Sequence, residues 1–194
     1  MSFPKRRRLE PHARRQEIIE AAERLLIERG ADVRVEDVVR GAGAAKGTFY
    51  LYFPTWDDLL DTIRQRIFEA FDRAHPMPDT ANVAVDWSVL LEELAVAFVD
   101  ATVEMGGMHD AIFHSDFAQR RAIPAADHPV NRLTGLIRAG QRAETFAAVD
   151  PEPTARLLFA VIHETADAVA EGQDRQRALA AMRRMLRQSL GAKP

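Results

Sequence analysis

Residues 35 to 54, V-E-D-V-V-R-G-A-G-A-A-K-G-T-F-Y-L-Y-F-P, constrain this chain more than any other stretch. They spell two short helices joined by a tight turn. The first spans about 35–40 and places Val35, Val38 and Val39 on one side. Gly41 and Gly43 then interrupt it, because glycine is poor inside a helix and suits a sharp backbone turn. The second runs from about Ala45 to Phe53 and carries Lys46, Thr48, Tyr50 and Tyr52. Phe49 and Phe53 lie four apart, so they share a face and anchor that helix to a core. Pro54 ends it.

A short helix fixed by two phenylalanines and presenting a cation, a hydroxyl and two phenols suits the DNA major groove. Phosphates take lysine, tyrosine and backbone N–H donors, and a thymine methyl takes an apolar or threonine contact. The plainer alternative is a helical hairpin with surface tyrosines, which the pattern alone leaves open.

The surrounding residues narrow the choice. I-I-E-A-A-E-R-L-L-I-E-R-G at 18–30, G-A-G-A-A-K-G-T-F-Y-L-Y-F at 41–53 and T-W-D-D-L-L at 55–60 resemble the DNA-binding domain of the tetracycline-repressor (TetR) family of bacterial regulators. The resemblance covers about residues 17–67, the first third of the chain. It implies a cytoplasmic, homodimeric, ligand-responsive repressor that binds palindromic operator DNA. Lys46 and Tyr52 would then hold phosphates, and Gly47 is a further candidate DNA contact. Thr48, Tyr50 and Leu51 would meet base edges or methyl groups.

Composition agrees with such a protein. The 194 residues are 47% hydrophobic, enough for a sizeable core and against disorder. With no cysteine there are no disulfides and no thiolate metal sites, as suits a reducing compartment. The Lys5–Arg8 cluster has no apolar run behind it and does not read as a secretory signal. No stretch is apolar enough to span a bilayer. Residues 1–56 hold 11 Lys and Arg against 8 Asp and Glu, a formal +3, whereas 57–194 hold 15 against 21, a formal −6. The basic excess lies where DNA would sit, and the acidic remainder repels phosphate from other faces.

The rest reads as helices separated by a linker at 75–85 and a loop around Pro124, and the expected architecture is all-α with nine or so helices. Residues 1–10 form a basic arm in which Arg6, Arg7 and Arg8 are candidate DNA contacts. A reading head over 11–56 and a ligand-binding and dimerisation domain over 57–194 complete the division. Pro11 opens the first helix and Gly30 closes it. Thr55 and Asp58 have capping-box spacing at the start of the next long helix. Asp150-Pro151 and Asp174 mark the starts of the last two helices.

Two features of the C-terminal part point to partners. The last two helices are apolar over more than one stripe, at Leu157, Leu158, Val161, Ile162, Met182, Met185 and Leu186, and a second apolar face implies a second partner. The resemblance makes that partner another copy, joined through an intermolecular four-helix bundle. Trp87, Leu91, Phe98, Thr102, Met105, Phe113, Phe117, Phe159 and His163 are candidates for a pocket that takes a hydrophobic or planar effector. Each apolar member of that set is also a plausible core residue.

No catalytic or metal site is expected, and no cofactor. His109, His114, Asp116, His163, Glu164 and Asp167 are ligand types without diagnostic spacing, and Glu-x-x-His is absent from the chain. Neither a nucleophile–base arrangement nor a glycine-rich phosphate loop is evident.

Three positions depart from the family pattern. Arg34 stands where a Ser or Thr usually caps the first short helix, and its guanidinium is itself a candidate DNA contact that recovers one phosphate. Ala45 replaces a Ser or Thr at the start of the second, and Trp56 replaces a frequent backbone-contacting Lys. Each loss costs about 1 kcal/mol of positioning contact. They motivate an alternative: a helical small-molecule-binding protein or enzyme whose reading head is vestigial.

Overall fold

The computed structural model describes residues 11–78, 85–123 and 128–191. Arg6, Arg7 and Arg8 therefore lie outside the described residues. Ten α-helices follow one another, and no strand occurs among the described residues. They are α1 Pro11–Arg29, α2 Val35–Gly41, α3 Lys46–Tyr52, α4 Trp56–Ala74, α5 Trp87–Met105, α6 Gly107–His109, α7 Asp116–Arg120, α8 Pro129–Arg142, α9 Pro151–Ala170 and α10 Arg175–Leu190. A 3-10 turn, Gly30–Asp32, follows α1, and α6 runs into a π-helical turn at Asp110–His114.

The helix signals act as their chemistry requires. The Thr55 amide donates to the Asp58 carboxylate at 2.9 Å while the Asp58 amide donates to the Thr55 hydroxyl at 3.2 Å, a reciprocal cap that satisfies two orphan donors. Asp174 accepts from the Arg177 amide at 2.8 Å at the start of α10. Gly30 closes α1 with φ +56°, a left-handed conformation that costs glycine nothing. The single short helix expected over 108–118 is instead three pieces. The break comes at Ser115, whose hydroxyl caps α7 by accepting from the Phe117 amide.

The described residues form two compact units. The first comprises residues through Ile67 with Gly106–Arg121, and the second comprises Phe68–Met105 with Ala122 onward. In the first, Ile18, Ile19, Ala22 and Leu26 of α1 are buried, as are Val38 and Val39 of α2, Phe49, Phe53, and Leu59, Leu60 and Ile63 of α4. Ion pairs and hydrogen bonds tie residues 116–121 to α4 within the first unit. Arg120 reaches both Asp57 oxygens at 3.0 Å, and Arg121 pairs with Asp58 and Asp61 at 3.1 Å. Arg64 is buried yet satisfied: it donates to the Arg121 carbonyl and to Asp61, and its guanidinium lies 5.0 Å from the Phe117 ring centre. A buried cation is tolerable only when it is paired and hydrogen-bonded in this way.

In the second unit α5, α8, α9 and α10 share one core. It contains Trp87, Leu91, Val99, Leu136, Ile137, Leu158, Ile162, Met182, Leu186 and Leu190.

A candidate DNA-reading helix and an apolar cavity

The recognition segment is built from its buried side outward. Phe49 and Phe53 are fully buried, their rings 5.7 Å apart. Trp56 stacks on Phe49 at 6.3 Å, and Arg15 covers Phe53 at 4.9 Å. Trp56, one of the three departures, thus serves packing beneath α3. With that face fixed, the opposite face is left to solvent: Tyr50 is 46% exposed and Leu51 77%. Lys46 and Gly47 are exposed, and Thr48 and Tyr52 are half-buried. Gly43, at φ +59°, makes the turn between α2 and α3. Gly47 is not required by space, because a Cβ there would meet nothing within 4 Å.

Both helices of the motif start without a side-chain cap. Ala45 has extended backbone and offers only its carbonyl, which accepts from the Thr48 amide at 2.9 Å. At Arg34 the backbone amide donates to Asp37 at 3.1 Å, and the guanidinium donates to the carbonyls of Ala31 and Val33. Arg34 therefore closes the preceding turn on itself. Asp37 also takes Arg29 at 3.1 Å, and these donors hold its carboxyl below the usual range. Lys46 is engaged as well: its ammonium contacts Glu36 at 2.5 Å. The hydrogen bond and the charge of Lys46 hold the Glu36 carboxyl below its usual value, and Glu36 holds the Lys46 ammonium above its own.

The second unit contains a small apolar cavity of about 60 Å³. Phe71 of α4, Leu91, Leu94, Ala95 and Phe98 of α5, Pro129, Arg132, Leu133 and Leu136 of α8, and Phe159 and Ile162 of α9 line it. Phe98 meets Phe71 edge-on at 6.3 Å and Phe159 at 5.5 Å.

Of the nine residues expected around a pocket, Leu91, Phe98 and Phe159 line this one. The other six lie elsewhere. Trp87 is core at the start of α5, Thr102 is buried, and Met105 ends α5 half-buried. His163 stands beside the wall, 6.0 Å from Phe98 and 5.8 Å from Phe159, with its Nδ1 3.1 Å from Asp167. Phe113 and Phe117 belong to the first unit, where Phe117 is buried beneath Arg64. Sequence reading missed Phe71, Leu133 and Leu136, whose apolar periodicity gave them a core role without saying which core residues border empty space. It missed Arg132 because a lone arginine on a helix carries no signal.

The expected dimer surface divides in the same way. Leu158, Ile162, Met182 and Leu186 are buried in the core of the second unit, whereas Leu157 is 70% exposed, Met185 50% exposed and Val161 half-buried. Two apolar stripes lie side by side on α9, and helical pattern cannot say which faces inward.

Imidazole and carboxylate groups that suit a divalent metal occur in both units. His109 and His114 of the first have Nε2 atoms 3.1 Å apart, the π-turn having placed residues five apart in register. His163 and Asp167 are the corresponding pair in the second.

Residues 18–63 match the family model described as bacterial regulatory proteins, tetR family, and residues 111–192 match the tetracyclin repressor-like C-terminal domain. The chain belongs to the TetR family. Among curated proteins, this TetR-family chain is similar to the HTH-type transcriptional regulator EthR of Mycobacterium tuberculosis, at 39% identity over 136 residues. That match takes in 70% of this chain and 59% of the relative's length. Among solved structures it is similar to a TetR-family transcriptional regulator from Pectobacterium atrosepticum, at 26% identity and a TM-score of 0.70, covering 97% of this chain and 100% of that one. The fold is shared with Salmonella enterica GusR, at 20% identity and a TM-score of 0.75, covering 95% and 99% of the two chains.

Proposed function

We propose that this chain is a sequence-specific, DNA-binding transcriptional repressor that leaves its operator when a small, mainly apolar effector enters the second unit. The observation that carries this is the division of α3 into two faces. Phe49 and Phe53 are locked in a core, and Lys46, Tyr50 and Leu51 are turned outward. A rigid helix with one cation and a contiguous exposed face is what reading a major groove demands. Lys46 and Tyr52 hold phosphates; Thr48, Tyr50 and Leu51 meet base edges and methyl groups. Ala45 has no side-chain donor for a phosphate, whereas the exposed Arg34, whose guanidinium donates through one nitrogen to the Ala31 and Val33 carbonyls, takes a phosphate with its remaining N–H groups. Arg6, Arg7 and Arg8 add nonspecific phosphate attraction.

The working form is a homodimer on a palindrome. One seven-residue helix touches too few bases, and two-fold symmetry doubles the contacts. The exposed apolar residues Leu157 and Met185 on the last two long helices support a self-association surface there. The apolar cavity supports the effector, and release is a population shift between two states that differ in effector affinity. No helix among the described residues is long and apolar enough to cross a membrane, and we infer a cytoplasmic protein with no catalytic role.

Fluorescence anisotropy with DNA from the region upstream of the chain's own gene tests this. Binding at physiological salt at least about a hundredfold tighter than to a scrambled duplex is expected for a specific regulator. Equal affinity for both duplexes would overturn it.

A further inference from the structure

The cavity wall is apolar apart from Arg132, the charged residue among its described lining. That arginine does two jobs. Its guanidinium donates to the Asp72 carboxylate and to the His75 carbonyl at the end of α4, and it lies 5.6 Å from the Phe71 ring centre. Its Nε–H is buried and has no acceptor among the described residues. A guanidinium carries five N–H donors in a fixed plane suited to carboxylate, and a buried donor left without an acceptor costs free energy. Asp72, by contrast, is largely exposed, so a carboxylate approaching from the cavity competes with a partner that is already solvated.

Resting on the effector-binding reading above, we propose that the effector is a small monocarboxylate with a compact apolar body, and that it is recognised by Arg132 in competition with Asp72. The apolar body lies among Phe71, Phe98, Phe159 and Leu133, and the carboxylate takes the Nε–H of Arg132. The cavity in its present form is too small to admit such a body unaltered: a dry cavity that holds benzene measures about 150 Å³, against about 60 Å³ here. Entry must therefore displace a wall residue. Phe71 stands next to Asp72 in the last turn of α4, just before His75, and is the wall residue on the helix that carries the partner of Arg132. One ligand thus pushes Phe71 and releases the Arg132–Asp72 latch beside it, which gives it the differential affinity a switch requires.

Isothermal titration of the full chain with matched acid and amide probes tests the proposal: cyclohexanecarboxylate against cyclohexanecarboxamide, and benzoate against benzamide. The acids should bind at least about tenfold more tightly than the amides, as expected for a charge-assisted pair over a neutral one. Asp72→Asn removes the rival charge at an exposed position and should tighten acid binding several-fold with little change for the amides. Arg132→Gln should abolish the acid preference. Equal binding of acid and amide would overturn the carboxylate and leave the effector site standing. Failure of any probe to bind either wild type or Asp72→Asn would overturn both. Should Arg132→Gln fail to fold, the Asp72→Asn titration decides alone, and no gain in acid affinity there counts against the proposal.

Discussion

Glu36 and Lys46 form an ion pair across the turn of the reading motif, with 2.5 Å between Oε1 and Nζ. Both side chains remain more than half exposed, so the pair is readily exchanged for a phosphate. Binding DNA requires that exchange, and it leaves Glu36 beside the phosphate charge. Glu36→Gln should therefore tighten DNA binding by about threefold to tenfold, mostly through faster association. Lys46→Ala should weaken binding to all sequences alike and flatten the logarithmic salt dependence by about one. Anisotropy titrations between low and moderate salt measure both. An unchanged salt slope in Lys46→Ala would remove that residue from the interface.

Tyr50 rests edge-on against Phe49 at 5.3 Å and presents its outer half to solvent. Its removal should leave stability within about 0.5 kcal/mol, as is usual for exposed positions. Operator affinity should fall by about tenfold with a loss of preference over a scrambled duplex. Parallel melts and binding curves separate the two effects.

Gly107 stands against the end of α1. A Cβ there would lie 2.8 Å from the Gly30 nitrogen, 2.9 Å from its Cα and 3.1 Å from the Leu26 carbonyl. These are backbone atoms that cannot swing aside. Gly107→Ala should destabilise the first unit by about 1–3 kcal/mol, seen as a lower melting temperature. A melting curve superimposable on the wild type would show that this packing is looser than the distances imply.

Leu157 and Met182 separate association from folding. Leu157→Glu, on the exposed stripe of α9, should shift sedimentation toward the monomer while the melting transition stays cooperative. Met182→Ala removes a fully buried side chain and should cost about 2–5 kcal/mol of stability. A Leu157→Glu protein that still sediments as a dimer would move the self-association surface elsewhere.

His128 precedes α8, and its Nδ1 accepts the Val130 amide at 3.2 Å, which only an unprotonated Nδ1 can do. Burial and then the Arg156 charge push its pKa below the ordinary 6.5. The unfolded chain thus takes up a proton at a higher pH than the folded one. The stabilisation is complete above about pH 6.5 and is lost as pH falls through the folded-state value. His128→Asn, which keeps a capping acceptor, should show a shallower fall in melting temperature between pH 7.5 and pH 5.5 than the wild type. Parallel slopes would deny His128 that role.

Much of this protein could be read from its residues in order. The two-helix motif, the Phe49–Phe53 anchor, the Thr55–Asp58 cap, the Asp174 helix start and the all-helical class all follow from interactions between residues a few positions apart, which sequence displays directly. Only the tertiary structure decided the rest, because it depends on which surfaces meet across long separations. It turned Leu158, Ile162, Met182 and Leu186 inward and left Leu157 and Met185 outside. It joined residues 106–121 to the first unit through Asp57, Asp58, Asp61 and Arg64. It also brought Arg132 to Asp72 and His75, about sixty positions away. Helical periodicity fixes which residues share a stripe, but not what each stripe packs against, and a charge acquires its partner only when the chain has closed around it.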